Sequence, residues 1–303
     1  MDYFDLHCDT IYECRRQRLG LAQNALALDL NRGASFSHWI QTFAFWITDD
    51  LRGDQAYQSF LDQFDYLTEQ IRLNPTLALW DGFGHPGVCQ VQLAVEGGAV
   101  LGGKLERIEQ LKRRQVSLLT LTWNGENELA SGAFAQGGMK PFGFDCVSML
   151  EQAGIVIDVS HLNDASFSDL CHVAREPFVA THSNARAVCR HPRNLTDGQI
   201  QEIQSRSGLV GLNFYPVFVC EGGSAQPEDL LRHIDHFLAL GCEDSLAFGS
   251  DFDGAELPAW LDGIEDIAKL HQTMVHYYGA AVTKKIFFEN ANRFFTKQRG
   301  VKS

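Results

Sequence analysis

Cationic residues are scarce in this chain: 25 Lys and Arg stand against 38 Asp and Glu, a formal net charge of −13. A surface of that sign repels phosphate backbones and anionic headgroups, which argues against nucleic acid and membrane surfaces as partners. Long apolar runs are missing as well. The stretch richest in aromatics, residues 36–47, is too short to span a bilayer and is interrupted by His38 and Gln41. Residues 1–10 show neither a basic start nor an apolar run, and residues 294–303 are basic and polar, so neither end reads as an export or lipid-anchor signal. The eight cysteines form no C-x-x-C pair and most have apolar neighbours. They are expected to be reduced thiols in a cytoplasmic protein. No repeat, low-complexity tract or Pro/Gly/Ser linker divides the chain. A single catalytic domain over residues 1–303 is therefore expected, and 45% hydrophobic residues suffice to bury a full core.

What recurs is a short apolar run that ends in a polar residue and leads into a helix-like stretch. Eight such runs occupy residues 3–9, 40–48, 89–96, 116–123, 155–161, 178–182, 209–215 and 247–251. Several are continuously apolar and β-branched, as parallel strands covered on both faces should be. Between two of them, Leu230, Leu231, Ile234, Phe237 and Leu238 share one helical face, with Pro227 near its start and Gly241 past its end. Eight strand–helix units predict a TIM-type (β/α)8 barrel, with a doubly wound sheet as the rival.

The polar residues fall where that fold does its chemistry. His7, Asp9, Glu96, His161, His182 and Asp251 all sit at or beside the C-terminal end of a run, and in a barrel those ends meet at one mouth. A His-x-Asp pair alone is weak evidence. However, His161 and His182 each end a buried run that has no packing use for an imidazole. Three histidines, two aspartates and a glutamate at one rim supply N and O donors suited to zinc or a similar divalent ion. Glu96, in Leu93-Ala94-Val95-Glu96-Gly97-Gly98, is the natural bridge, because one carboxylate shared by two dications offsets their repulsion.

The segments Asp5-Leu6-His7-Cys8-Asp9-Thr10, Val95-Glu96-Gly97-Gly98, Asp158-Val159-Ser160-His161, Thr181-His182-Ser183-Asn184-Ala185-Arg186, Arg193-Asn194 and Gly249-Ser250-Asp251-Phe252-Asp253-Gly254 occur in that order. In this the chain resembles the membrane (renal) dipeptidase family of zinc metallopeptidases, from His7 to the Asn290-Ala291-Asn292-Arg293-Phe294-Phe295 segment. The resemblance implies a metallo-dipeptidase with two zinc ions, one on His7 and Asp9, the other on His161 and His182, bridged by Glu96. It implies that Asp251 sits beside the metal-bound water and moves its proton, that Arg193 takes the substrate's free carboxylate, and that Asn213, Phe214 and Tyr215 line the pocket. The implied partner is a small dipeptide, a D-residue at its C-terminal position being a family trait; a homodimer is left open.

Two positions depart from the family's pattern. Trp123, followed by Asn124, stands where vertebrate renal members place a histidine near the substrate carbonyl, and Phe218 stands where a pocket tyrosine occurs. Trp123, Asn124, Tyr215 and Phe218 are accordingly substrate-pocket candidates. The rival functions are a metal-dependent amidohydrolase or lactonase on a non-peptide substrate, a phosphoesterase, and a non-catalytic barrel that binds a metal or small molecule. A bridging lysine would suit the first and further rim cations the second; the chain offers neither. His233, His236, His271 and His276 read as packed or solvated helix positions, His38 and His85 as loop residues, and Cys8 as core. His191 lies close enough to Arg193 to touch substrate, Asp253 is a supporting acid, and Asp158 and Ser160 flank His161 and could orient ligands.

Overall fold

A computed structural model describes residues 1–300. Its strands are β1 (Tyr3–Cys8), β2 (Trp39–Trp46), β3 (Leu77–Leu79), β4 (Cys89–Glu96), β5 (Val116–Thr120), β6 (Val156–Asp158), β7 (Val210–Leu212) and β8 (Leu246–Phe248). They pair in the order β6-β5-β4-β2-β1-β8-β7, always parallel. Residues 178–182 fill the remaining gap. Val159 N–H donates to the Val179 carbonyl at 2.7 Å, Ala180 N–H to Leu209 at 2.9 Å and Gly211 N–H to Ala180 at 2.8 Å. This sixth stave closes the ring, and the fold is a (β/α)8 barrel, as the eight runs predict.

β3 lies outside the ring and was not expected. It pairs with β4 over Cys89–Val91, the edge left free because β5 begins its pairing only at Leu93. Three residues are too few to show a period. The helices are α1 (Thr10–Gln17), α2 (Gly53–Leu73), α3 (Glu106–Arg113), α4 (Pro141–Ala153), α5 (Asp164–Val173), α6 (Asp197–Ser205), α7 (Pro216–Val219), α8 (Pro227–Ala239), α9 (Ile267–Lys284) and α10 (Asn290–Gln298). α8 is the helix read from the sequence, with Pro227 in its first turn, Leu230, Leu231, Ile234 and Phe237 buried, and Gly241 left-handed beyond its end.

Two cores explain the continuous apolar runs. Ile40 and Ala44 of β2 face the barrel interior with Phe4, Leu6, Ala94, Leu118, Val156, Val179, Leu209 and Ala247. Phe43 and Phe45 belong to the larger core between sheet and helices. Trp80 and α10 residues Phe294 and Phe295 pack onto the inner core, Trp80 against Phe4 at 5.4 Å between ring centroids. Apolar bulk therefore fills the N-terminal end, and polar side chains collect at the other.

Several runs leave the ladder before their polar ends. β6 stops at Asp158, three residues short of His161, and β5 stops at Thr120, short of Trp123. β1 is not a regular strand up to Asp9 either. Phe4 and Leu6 face inward, so strict alternation would turn His7 outward and Cys8 inward. A register shift between Asp5 and Cys8 reverses this, leaving Cys8 in the outer core. Buried Asp5 holds the bulge. Its Oδ1 accepts the N–H groups of His7 (3.3 Å) and Ser250 (2.8 Å), and its Oδ2 accepts the Ser250 hydroxyl (2.6 Å) and the Gln41 amide (2.9 Å). Bulges beside active sites commonly re-aim a side chain in this way.

Candidate metal centre

At the C-terminal mouth, Glu96 Oε1 is the meeting point. His161 Nε2 lies 2.8 Å from it, His182 Nε2 3.4 Å and His7 Nε2 3.7 Å. On the other side of His7, Nε2 is 3.4 Å from Asp9 Oδ2 and 3.9 Å from Asp251 Oδ1. Donor atoms of His7, Glu96 and His182 lie within 4.8 Å of one another, and so do those of His7, Asp9 and Asp251. Residues spread over some 240 positions thus share one buried cluster.

The supporting hydrogen bonds fix which ring nitrogens face the centre. Thr181 Oγ1 donates to Asp158 Oδ2 at 2.7 Å, so it can only accept from His182 Nδ1, 2.8 Å away. That tautomer leaves a lone pair on His182 Nε2. His161 Nδ1 donates to Asn124 Oδ1 at 2.9 Å, which frees its Nε2 likewise. The two Nε2 atoms are only 2.8 Å apart. Two lone pairs at that distance repel unless a cation or proton lies between them. Asp158 does the orienting that its place beside His161 suggested, since its Oδ1 also accepts the N–H groups of Ser160 and Thr181 at 3.0 and 2.9 Å. Asn124, expected only as a pocket residue, acts on His161.

The backbone is strained at the same place. His161 (φ 71°), Asp251 (φ 61°) and Asp253 (φ 68°) are left-handed non-glycine residues, a conformation that costs on the order of 1–3 kcal/mol each. Gly254 has no room for a side chain, because a Cβ there would lie 2.0 Å from Asp9 Oδ2 and 2.6 Å from Asp251 Oδ1. Asp253 makes no hydrogen bond to the six rim residues. Its carboxylate accepts Thr10 Oγ1–H at 2.6 Å and Ala27 N–H at 2.7 Å, tying the start of α1 to the loop that follows it.

Charge makes the cluster unstable as bare side chains. Burial, with Asp9 nearby, holds the Glu96 carboxyl well above its ordinary range, and burial likewise raises Asp251. Burial pushes His161 and His182 well down, Arg193 and His7 adding to it. His7 goes the other way, to about 10, because Glu96, Asp9 and Asp251 outweigh its own burial. His7 Nε2 and Asp9 Oδ1 are buried with no hydrogen-bond partner among the described residues. Three carboxylates, imidazole lone pairs and unpaired buried atoms are a donor set that divalent cations complement.

A cavity of about 670 Å³ opens above the cluster. Asp9, Glu96, His161 and Asp251 form part of its lining, and so do Trp123, Asn124, Arg193, Tyr215 and Phe218, the residues assigned to the pocket from sequence. His7 and His182 lie deeper, each 1% exposed. Arg193 is 4% exposed, its Nε and Nη2 lack partners among the described residues, and its guanidinium sits 5.3 Å from the Phe218 ring centroid. Burial lowers its pKa to about 10, which leaves it charged near neutrality. Asn213 donates to Asp251 Oδ2 at 2.9 Å, and Phe214 is buried in the outer core, away from the pocket expected for it. Tyr12 and Trp46 also line the cavity and were not singled out from sequence, although Trp46 ends β2, where the position rule points. His233 is fully buried: Nδ1 accepts Ala185 N–H at 3.1 Å and Nε2 meets the Val219 carbonyl at 2.9 Å, tying α8 to the loop after the sixth stave and to α7.

The family model described as membrane dipeptidase (peptidase family M19) matches residues 1–302. A Klebsiella pneumoniae protein, described as an uncharacterized protein in the pqqA 5' region, is 33% identical over 65% of this chain and 77% of its own length. A crystal structure of a dipeptidase of metallopeptidase family M19 superposes with a TM-score of 0.92 at 26% identity, covering 99% of both chains. A metallopeptidase from Rhodobacter sphaeroides, liganded with a phosphinate mimic of the dipeptide L-Ala-D-Ala, gives a TM-score of 0.90 at 24% identity, over 98% of this chain and 99% of its own.

Proposed function

The chain belongs to the membrane dipeptidase family, peptidase family M19, and is a metallo-dipeptidase; we propose that it works with two zinc ions sharing Glu96 and cleaves free dipeptides, including ones that end in a D-residue. The observation that carries this reading is the convergence of His7, His161 and His182 on one oxygen of Glu96, at 3.7, 2.8 and 3.4 Å. In the proposal His7 and Asp9 hold one ion, and His161 and His182 the other. Bound there, the ions would acidify a shared water and polarise the scissile carbonyl.

The protein's own groups perform the rest. Arg193 offers unpaired N–H groups in a fork that fits a carboxylate, so a chain ending one residue beyond the scissile amide is held and a longer one is not. Asp251 Oδ1 faces His7, and Asn213 anchors its other oxygen. Asp251 takes the proton of the attacking water and delivers it to the leaving amine as the C–O bond forms and the C–N bond breaks, giving two free amino acids. The D-residue tolerance is supported by the L-Ala-D-Ala mimic on the Rhodobacter sphaeroides neighbour. All eight cysteines are free, and no helix among the described residues is long and apolar enough to cross a membrane. A cytoplasmic enzyme fits both facts, and the single ring of staves fits one catalytic unit over residues 1–303.

The test is a panel of L,L and L,D dipeptides assayed with metal-stripped and zinc-restored protein. Activity should be absent in the first and return at two zinc ions per chain. No hydrolysis of any dipeptide after zinc restoration would end the reading.

A further inference from the structure

The cavity has one aromatic wall whose purpose the catalytic groups do not explain. Tyr12 and Trp46 meet edge to face at 4.7 Å between ring centroids, and Trp46 meets Trp123 the same way at 5.0 Å. Trp123 continues to His161, 6.2 Å away, so the chain of rings reaches the ligand cluster. All three rings are only partly buried and line the cavity.

Ring topology sets the middle of this wall, Trp46, opposite the stave that leads to Arg193. Trp46 ends β2, the second stave, while Arg193 follows the sixth, residues 178–182. Those staves are four places apart in a ring of eight, so their ends face each other across the mouth. Resting on the dipeptidase reading, with the substrate carboxylate at Arg193 and the scissile carbonyl above Glu96, the N-terminal residue extends toward Tyr12, Trp46 and Trp123. We propose that this wall is the subsite for the N-terminal side chain and selects dipeptides that begin with a large apolar or aromatic residue.

Aromatic faces also attract cations, but two of the neighbouring acids, Glu13 and Asp253, are already engaged. Glu13 is held by Arg16 through Nε at 3.0 Å and Nη2 at 2.6 Å, and Asp253 by Thr10 and Ala27. Glu256 also lines the cavity, from the loop after the eighth stave, but it stands outside the ring-to-ring contacts of Tyr12, Trp46 and Trp123, whose faces offer mainly apolar contact. Trp123 then serves substrate choice rather than proton abstraction, consistent with an indole having no acceptor.

The test compares kcat/KM for Phe-Ala, Gly-Ala and Lys-Ala with the zinc-loaded enzyme. Wild type should favour Phe-Ala over each of the others by about tenfold or more, the scale that side-chain burial in a specificity pocket supplies. Trp46→Ala and Trp123→Ala should each lower the Phe-Ala to Gly-Ala ratio by about tenfold, and Trp46→Phe should restore most of it. A ratio unmoved by both alanine variants, or a wild type that prefers Gly-Ala or Lys-Ala, overturns the subsite. Inactivity on all three and on every other dipeptide would instead overturn the dipeptidase reading beneath it.

Discussion

Asn124 and Gly254 show how far single residues near the cluster are constrained. Asn124 Oδ1 accepts from His161 Nδ1 and so keeps the Nε2 lone pair turned toward Glu96. Asn124→Ala should weaken zinc binding by about 10- to 100-fold, the usual cost of losing a partner behind a ligand, as read by competition with a chelator. Gly254 is a matter of space: Gly254→Ala drives a methyl group into Asp9 and Asp251. The expected outcome is a protein that folds but retains one zinc ion per chain by elemental analysis; two retained ions would show that Asp9 and Asp251 can yield. Arg193→Ala should raise KM for free dipeptides far more than for C-terminally amidated ones, and equal losses on both would remove its assigned role. At this scale the ligand candidates were legible because imidazoles and carboxylates at the ends of apolar runs have no packing use. The bonds behind them were not. Nothing in the local pattern around Asn124 says that it will meet His161, 37 positions away.

Elements were legible in proportion to their length and regularity. α8 announces itself by period, by Pro227 and by Gly241. The sixth stave is visible as an apolar run even though it bonds too briefly to form a regular strand, because burial on both faces leaves the same signature. β3 and the β1 bulge were not legible. The first has three residues, and the second depends on Asp5 accepting from Ser250, 245 positions away. His233 on α8 looked like an ordinary helix position, yet it is a buried neutral imidazole whose burial holds its pKa at about 4. An unfolded histidine takes up a proton near pH 6.5. Stability from keeping His233 neutral is therefore present above pH 6.5 and lost as pH falls toward 4, by roughly 3 kcal/mol at the bottom of that window. In chelator-treated protein, His233→Gln should flatten this part of the stability–pH curve; an unchanged slope would show that His233 is not its source.

Across the whole molecule the barrel separates its tasks by depth. Phe4, Trp80, Phe294 and Phe295 fill the N-terminal end, while carboxylates and imidazoles that repel or go unpaired gather at the other. Such a cluster costs stability until cations fill it. Zinc at a thousand times its dissociation constant stabilises the folded chain by about 4 kcal/mol. Chelation should accordingly lower Tm by on the order of 10 °C, and zinc should restore it. The central claim is that two ions share Glu96. Anomalous scattering at the zinc edge from crystals of the zinc-loaded protein tests it directly. Two peaks should flank the Glu96 carboxylate, one beside His7 and Asp9 and the other beside His161 and His182. A lone peak, or peaks away from Glu96, would contradict it.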